Sequence, residues 1–152
     1  MIPVCPRCDV ALTILVYEEM RVDYCAKCRG IWLDSGELED LLARTGAAAN
    51  AEHLAFQRRE GIIPPGRKNL CPRCDERLQE VPAHPYQGAD LIIDRCPAGH
   101  GIWFDCGELK KLLLGFPESD HTNKTVAFLS DMLGNIFSDE PAADSPGTKV
   151  SP

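Results

Sequence analysis

The sequence predicts a small, metal-stabilised α+β fold made of two tandem units, and three observations carry that expectation. A cysteine-rich segment occurs twice, each occurrence holds a β-hairpin pattern between two metal-binding turns, and each is followed by a short helix with one apolar stripe. At 152 residues the chain has room for one ordinary domain or for two very small ones with linkers, and the repeat favours the second. A unit of roughly 45 residues leaves too much surface in water to be held by burial alone, so it needs a metal or disulfides. Eight cysteines are available for that purpose.

The duplication is explicit. Cys5-Pro6-Arg7-Cys8-Asp9 returns as Cys71-Pro72-Arg73-Cys74-Asp75. Asp23, Cys25, Gly30, Trp32, Asp34, Gly36, Glu37 and Leu38 correspond in order to Asp94, Cys96, Gly101, Trp103, Asp105, Gly107, Glu108 and Leu109. The second copy carries extra residues around Pro82 to Gly88. The expected boundaries are 1–46 for the first unit with its helix, 47–69 for a linker with a short helix, and 70–116 for the second unit with its helix. An amphipathic helix then occupies 117–137, and 138–152 is a disordered acidic tail.

Each element has a local reason. Ala11 to Tyr24 is rich in β-branched and aromatic residues and is interrupted at Glu18-Glu19, which reads as a hairpin; Leu78 to Val81 and Leu91 to Arg95 repeat it around a longer tip. A turn containing Trp32, or Trp103, closes each unit. Asp34 and Asp105 are placed as helix N-caps with Glu37 and Glu108 three residues on, the spacing of a capping box. Leu38, Leu41 and Leu42, like Leu109, Leu112 and Leu113, form a stripe, and Gly46 and Gly115 stop the helices. Ala51 to Glu60 suits a short linker helix. From about His121 to Phe137, Val126, Leu129, Leu133, Ile136 and Phe137 recur at helical spacing, and that apolar face must bury against something.

Cysteines at this density form disulfides in an exported protein and bind metal in a reducing compartment. No charged-then-apolar signal segment opens the sequence, and apolar runs stop at about four residues, far short of the ~20 that span a bilayer. A cytoplasmic setting with metal-bound thiolates is therefore expected. Cys5-x-x-Cys8 and Cys25-x-x-Cys28, sixteen residues apart, have the spacing of a zinc ribbon, in which a hairpin brings two metal-binding turns together. Four thiolates suit tetrahedral Zn²⁺ and leave no open position, as in structural sites; ligand type alone also admits iron.

The second copy keeps Cys71, Cys74 and Cys96 but has Gly99 where Cys28 aligns, with His100 next to it. Three cysteines and a histidine are also a tetrahedral zinc set, and the extra residue between ligands can be absorbed by Gly99 and Gly101. Cys106, in the first turn of the second helix where Ser35 stands in the first copy, is the rival fourth ligand, and His84 in the hairpin tip is a weaker one. His53 and His121 lie outside the repeats and read as plain polar residues. Two Zn²⁺ ions per chain are expected. Trp32 and Trp103 either face a partner or cover the knuckles while packing on the leucine stripes. Asp23 and Asp94 either orient ligands or are solvated at the hairpin edge.

The string from Cys-Pro-Arg-Cys through Cys-x-x-Cys-x-Gly-Ile-Trp-Leu-Asp-x-Gly-Glu-Leu resembles the small bacterial zinc-ribbon family of transcription-factor zinc fingers, named after transcription factor IIB, over about 1–43 and 71–114. Family variants ending in Pro-x-Gly-His-Gly-x-Trp resemble the second copy and imply His100 as its ligand. The resemblance implies zinc and a ribbon fold, and little about activity.

Net charge is −7, and seven thiolates on two Zn²⁺ ions take it to −10, which disfavours nonspecific nucleic-acid binding. Only Arg58, Arg59, Arg67 and Lys68 form a basic segment. The expected function is a non-enzymatic binding module for a protein, in transcription or translation, presenting hairpin tips and Trp/Leu surfaces. Direct nucleic-acid binding through the basic segment is the alternative. Thiol redox or zinc-dependent catalysis, the third, needs a metal-free CxxC at a helix start or an open coordination position with a general base, and the motifs supply neither.

Overall fold

The computed structural model describes residues 2–50, 61–63, 68–83 and 91–137. The expected linker helix at 51–60, the second hairpin tip and the acidic tail lie outside the described residues. Thr13–Tyr17 (β1) and Met20–Tyr24 (β2) pair antiparallel, Tyr17 opposite Met20. Glu18 and Glu19 alone connect them, with φ of 48° and 68°. Positive φ at both positions gives the tight turn whose twist matches that of the flanking strands. Gln79–Ala83 (β4) and Leu91–Arg95 (β5) repeat the hairpin in the second copy.

The tryptophan segments are strands, not the expected turns. Ile31–Asp34 (β3) pairs with β2, Gly101–Phe104 (β6) pairs with β5, and β3 and β6 pair with each other, Trp32 opposite Trp103. That last pairing fuses the copies into one antiparallel sheet of order β1-β2-β3-β6-β5-β4. Its closeness depends on two equivalent glycines. A Cβ on Gly30 would fall 2.0 Å from Cζ2 of Trp103, and one on Gly101 would fall 2.3 Å from the Leu33 carbonyl and 2.7 Å from Cζ2 of Trp32. Each copy thus makes room for the other's indole.

Alternation along the strands gives the sheet two different faces. Val22, Ile31, Leu33, Ile93, Ile102 and Phe104 are buried in the main core beneath Glu37–Arg44 (α1), Glu108–Leu114 (α2) and Asp120–Leu133 (α3). Trp32 and Trp103, both fully buried, belong to a second cluster with the cysteines of the metal-binding turns. They cover the knuckles but do not pack on the leucine stripes, which lie in the other cluster.

Helix starts also differ from expectation. The N-caps of α1 and α2 are Gly36 and Gly107, with φ of 88° and 81° and no side-chain cap bond. Half of the capping box survives: Glu37 accepts from the Asp34 backbone N–H at 2.8 Å, and Glu108 from that of Asp105 at 3.0 Å. The aspartate side chains are engaged elsewhere. α3 is capped by Ser119, which accepts from the Thr122 N–H, and stops at Gly134, with a 3-10 turn over Gly134–Phe137. Its apolar face is not vacant, because Leu129, Leu133 and Phe137 are buried in the shared core. Thr125 meets Thr45 at the end of α1, and Phe128 meets Tyr17 edge to face at 5.2 Å. Thus α3 braces the first copy while packing on α2 of the second. Among the described residues, no helix is long and apolar enough to cross a membrane.

Candidate metal centres

The fold gathers the expected ligands into two groups, Cys5, Cys8, Cys25 and Cys28, and Cys71, Cys74, Cys96 and His100. Within each group the candidate ligand atoms lie within 4.8 Å of one another. Sγ of Cys5 is 3.7 Å from that of Cys28, Sγ of Cys74 is 3.6 Å from that of Cys96, and Nδ1 of His100 is 3.4 Å from Sγ of Cys96. Zinc–sulfur bonds near 2.3 Å in a tetrahedron put sulfurs about 3.8 Å apart. The donor type, number and spacing therefore fit two zinc ions. No disulfide joins the described cysteines.

Local hydrogen bonds build each turn. The N–H groups of Arg7 and Cys8 point at Sγ of Cys5, both at 3.3 Å, and the Arg73 N–H points at Sγ of Cys71 at the same distance. In the hairpin-end knuckles, Cys25 N–H bonds to the Gly30 carbonyl and Cys96 N–H to that of Gly101, at 2.9 and 3.0 Å. The two turns are equally long, so the second contains no added residue. The left-handed residue shifts from Arg29 (φ 62°) to Gly99 (φ 85°), and the candidate ligand moves one place along to His100.

Without a cation such a group resists full ionisation. The hydrogen bond with Cys25 and burial push the Cys5 thiol up to about 12, and burial does the same for Cys71. Burial also opposes the Cys96 thiolate, but hydrogen bonds from the His100 backbone and ring outweigh it and lower its pKa. A dication reverses this balance, because coordinated thiols are deprotonated.

A layer of charge exchanged between copies surrounds the centres. Arg7 sends Nε and Nη2 to the Asp105 carboxylate at 2.9 and 3.1 Å, Nη2 to Asp94 at 2.6 Å, and Nη1 to Oδ1 of Asn69 at 2.8 Å. Arg73 reciprocates, with Nε and Nη2 on Asp34 at 2.7 and 2.9 Å and Nη2 on Asp23. Asp34 and Asp105 also accept from the indole N–H of Trp32 and Trp103 at 2.8 and 2.9 Å. This is why neither aspartate caps its helix. Burial raises the Asp34 carboxyl, but Arg73 and the indole outweigh it and hold the group below its ordinary value. Asp23 and Asp94 are buried, not solvated, and serve the other copy's knuckle. Sequence reasoning missed Arg7 and Arg73 as functional residues; the signal was the return of arginine and both aspartates in each copy.

Cys106 is buried beyond the end of β6 and is not in the second ligand group. His84 and His53 lie outside the described residues, as do Arg58, Arg59 and Arg67, while Lys68 and His121 are exposed. His100→Ala is expected to lower zinc content from two ions to one, and Cys106→Ser to leave two, by elemental analysis of purified protein. Two ions in the His100→Ala protein would move the fourth ligand elsewhere.

The profile of the transcription factor zinc-finger family matches residues 4–44 and again 70–115. No curated protein and no solved structure matches the chain. Both matched segments contain one complete ligand group, one hairpin and one tryptophan strand. The chain belongs to the transcription factor zinc-finger family, of which it holds two tandem copies.

Proposed function

We propose that the chain is a non-enzymatic binding module whose zinc ions are structural and whose partner is a protein of the transcription or translation machinery. The observation that carries this reading is that each metal group already has four protein ligands. A complete set offers no position for water or substrate, which a catalytic zinc requires. The family's description supports the choice of machinery.

Two features expected to meet the partner are internal, since the tryptophans and the apolar face of α3 are buried. Among the described residues, β1 at one edge of the sheet offers an exposed apolar face, with Ile14 and Val16 exposed by 49% and 65%. The other edge is occupied, because Ile62 exchanges two backbone bonds with Glu80 of β4, which also carries Pro82. An extended, apolar segment of a partner protein that adds a strand to β1 is the contact we infer. The same burial removes Trp32 and Trp103 as stacking surfaces for direct nucleic-acid binding.

The test is a photo-crosslinking residue at position 16, with exposed Asp131 as the control position, in the zinc-loaded full chain in its host. Protein adducts specific to position 16, lost on Ile14→Lys and resistant to nuclease, are expected. Nuclease-sensitive adducts, with salt-dependent binding of purified nucleic acid, would transfer support to the alternative.

A further inference from the structure

We propose that the two metal centres load as a coupled pair, each copy's knuckle arginine tying its own metal-binding turn to the ligand strands of the other copy. The proposal rests on the reading of both groups as zinc centres. Arg7 lies between the ligands Cys5 and Cys8, and its backbone N–H contacts Sγ of Cys5. Its side chain leaves that centre altogether. It ends on Asp94, two residues before the ligand Cys96, on Asn69, two residues before the ligand Cys71, and on Asp105. Arg73 follows the same path in reverse, from the turn holding Cys71 and Cys74 to Asp23, two residues before Cys25, and to Asp34.

Coupling follows from burial. Asp94 is 0% exposed and the Arg7 side chain 4%, so their charges are held out of water and depend on each other. When the first centre is empty, the Cys5–Cys8 turn loses its anchor and Arg7 its fixed position. Asp94 and Asp105 are then left as buried carboxylates without their guanidinium, and the strand leading to Cys96 is disfavoured. Metal at one centre therefore prepares the other, which is a coupling free energy between two sites and is reciprocal. The two routes differ in weight. Asp23 is as buried as Asp94, but Arg73 itself is 23% exposed and Asp34 32%, so water compensates for more of a loss there. The Arg7 route dominates.

The experiment measures zinc affinity at the first centre in the full-length chain by chelator competition, with Co²⁺ absorption confirming its four-thiolate environment. The second centre is either intact or disabled by Cys71→Ser with Cys74→Ser. Disabling it is expected to weaken the first centre by about 5- to 150-fold, the usual span of such couplings. In an Arg7→Gln background that ratio should fall toward one, in Arg73→Gln it should fall less, and in Arg44→Gln, which breaks only exposed contacts with Asp40 and the Glu18 carbonyl, far from either centre's ligands, it should stay unchanged. A wild-type ratio of one, or an undiminished ratio in Arg7→Gln, overturns the coupling. Should the disabled chain fail to fold, native mass spectrometry of wild-type protein during zinc addition decides. Zero- and two-zinc species with little one-zinc species support the proposal, and a dominant one-zinc species overturns it. A wild-type chain that takes up no zinc would instead refute the metal reading itself.

Discussion

Chelation of both zinc ions is expected to unfold the chain, with loss of strand and helix circular dichroism and a red shift of tryptophan emission as Trp32 and Trp103 meet water. Structural zinc contributes on the order of 10–16 kcal/mol of apparent binding free energy per site in finger peptides. A whole domain is stable by only about 5–15 kcal/mol. The second hydrophobic cluster consists of the tryptophans, two leucines and ligand cysteines, so it has little cohesion once the thiols reprotonate and separate. Acid should act like a chelator, because protons compete with zinc for each sulfur. A chain that keeps a cooperative thermal transition and blue-shifted emission in excess chelator would show that the helix-covered core suffices.

The second large effect is expected at the strand pair joining the copies. Trp103→Ala should cost about 3–5 kcal/mol, as is usual when a buried aromatic is deleted. Gly101→Ala, although it adds one methyl group, should destabilise by about 1–3 kcal/mol or more, because the new carbon meets the Leu33 backbone and the Trp32 ring. Gly30→Ala should behave alike through Trp103. Urea denaturation at fixed zinc concentration measures all three. Wild-type midpoints in the glycine variants would mean that β3 and β6 separate easily and that the copies are held by the helices instead.

The ligand groups and hairpins were legible in the sequence because their causes are local. Two cysteines three positions apart can share an ion from one turn, and a run such as Ile14-Leu15-Val16-Tyr17 declares a strand by itself. The joining strands were not legible, since Gly-Ile-Trp is too short to show alternation and its glycines make sense only beside the other copy's indole. Asp34 fits an N-cap until Arg73 claims its carboxylate, an interaction spanning 39 positions. Helix starts were misplaced by two residues because Gly36 and Gly107 enter in the left-handed conformation. The stripe of α3 was visible, but not that this chain's own core would cover it.

The reciprocal arginines and the Trp32–Trp103 register make the joint between copies isologous in all but sequence, the arrangement by which two identical subunits form a dimer. Here both partners are on one polypeptide. Their association is a unimolecular event at an effective concentration on the order of millimolar, so dilution does not dissolve it. Covalent linkage also frees the halves from having to match. A histidine can stand for a cysteine, and a cysteine for a serine, on one side alone, whereas in a true homodimer every such change would be made twice.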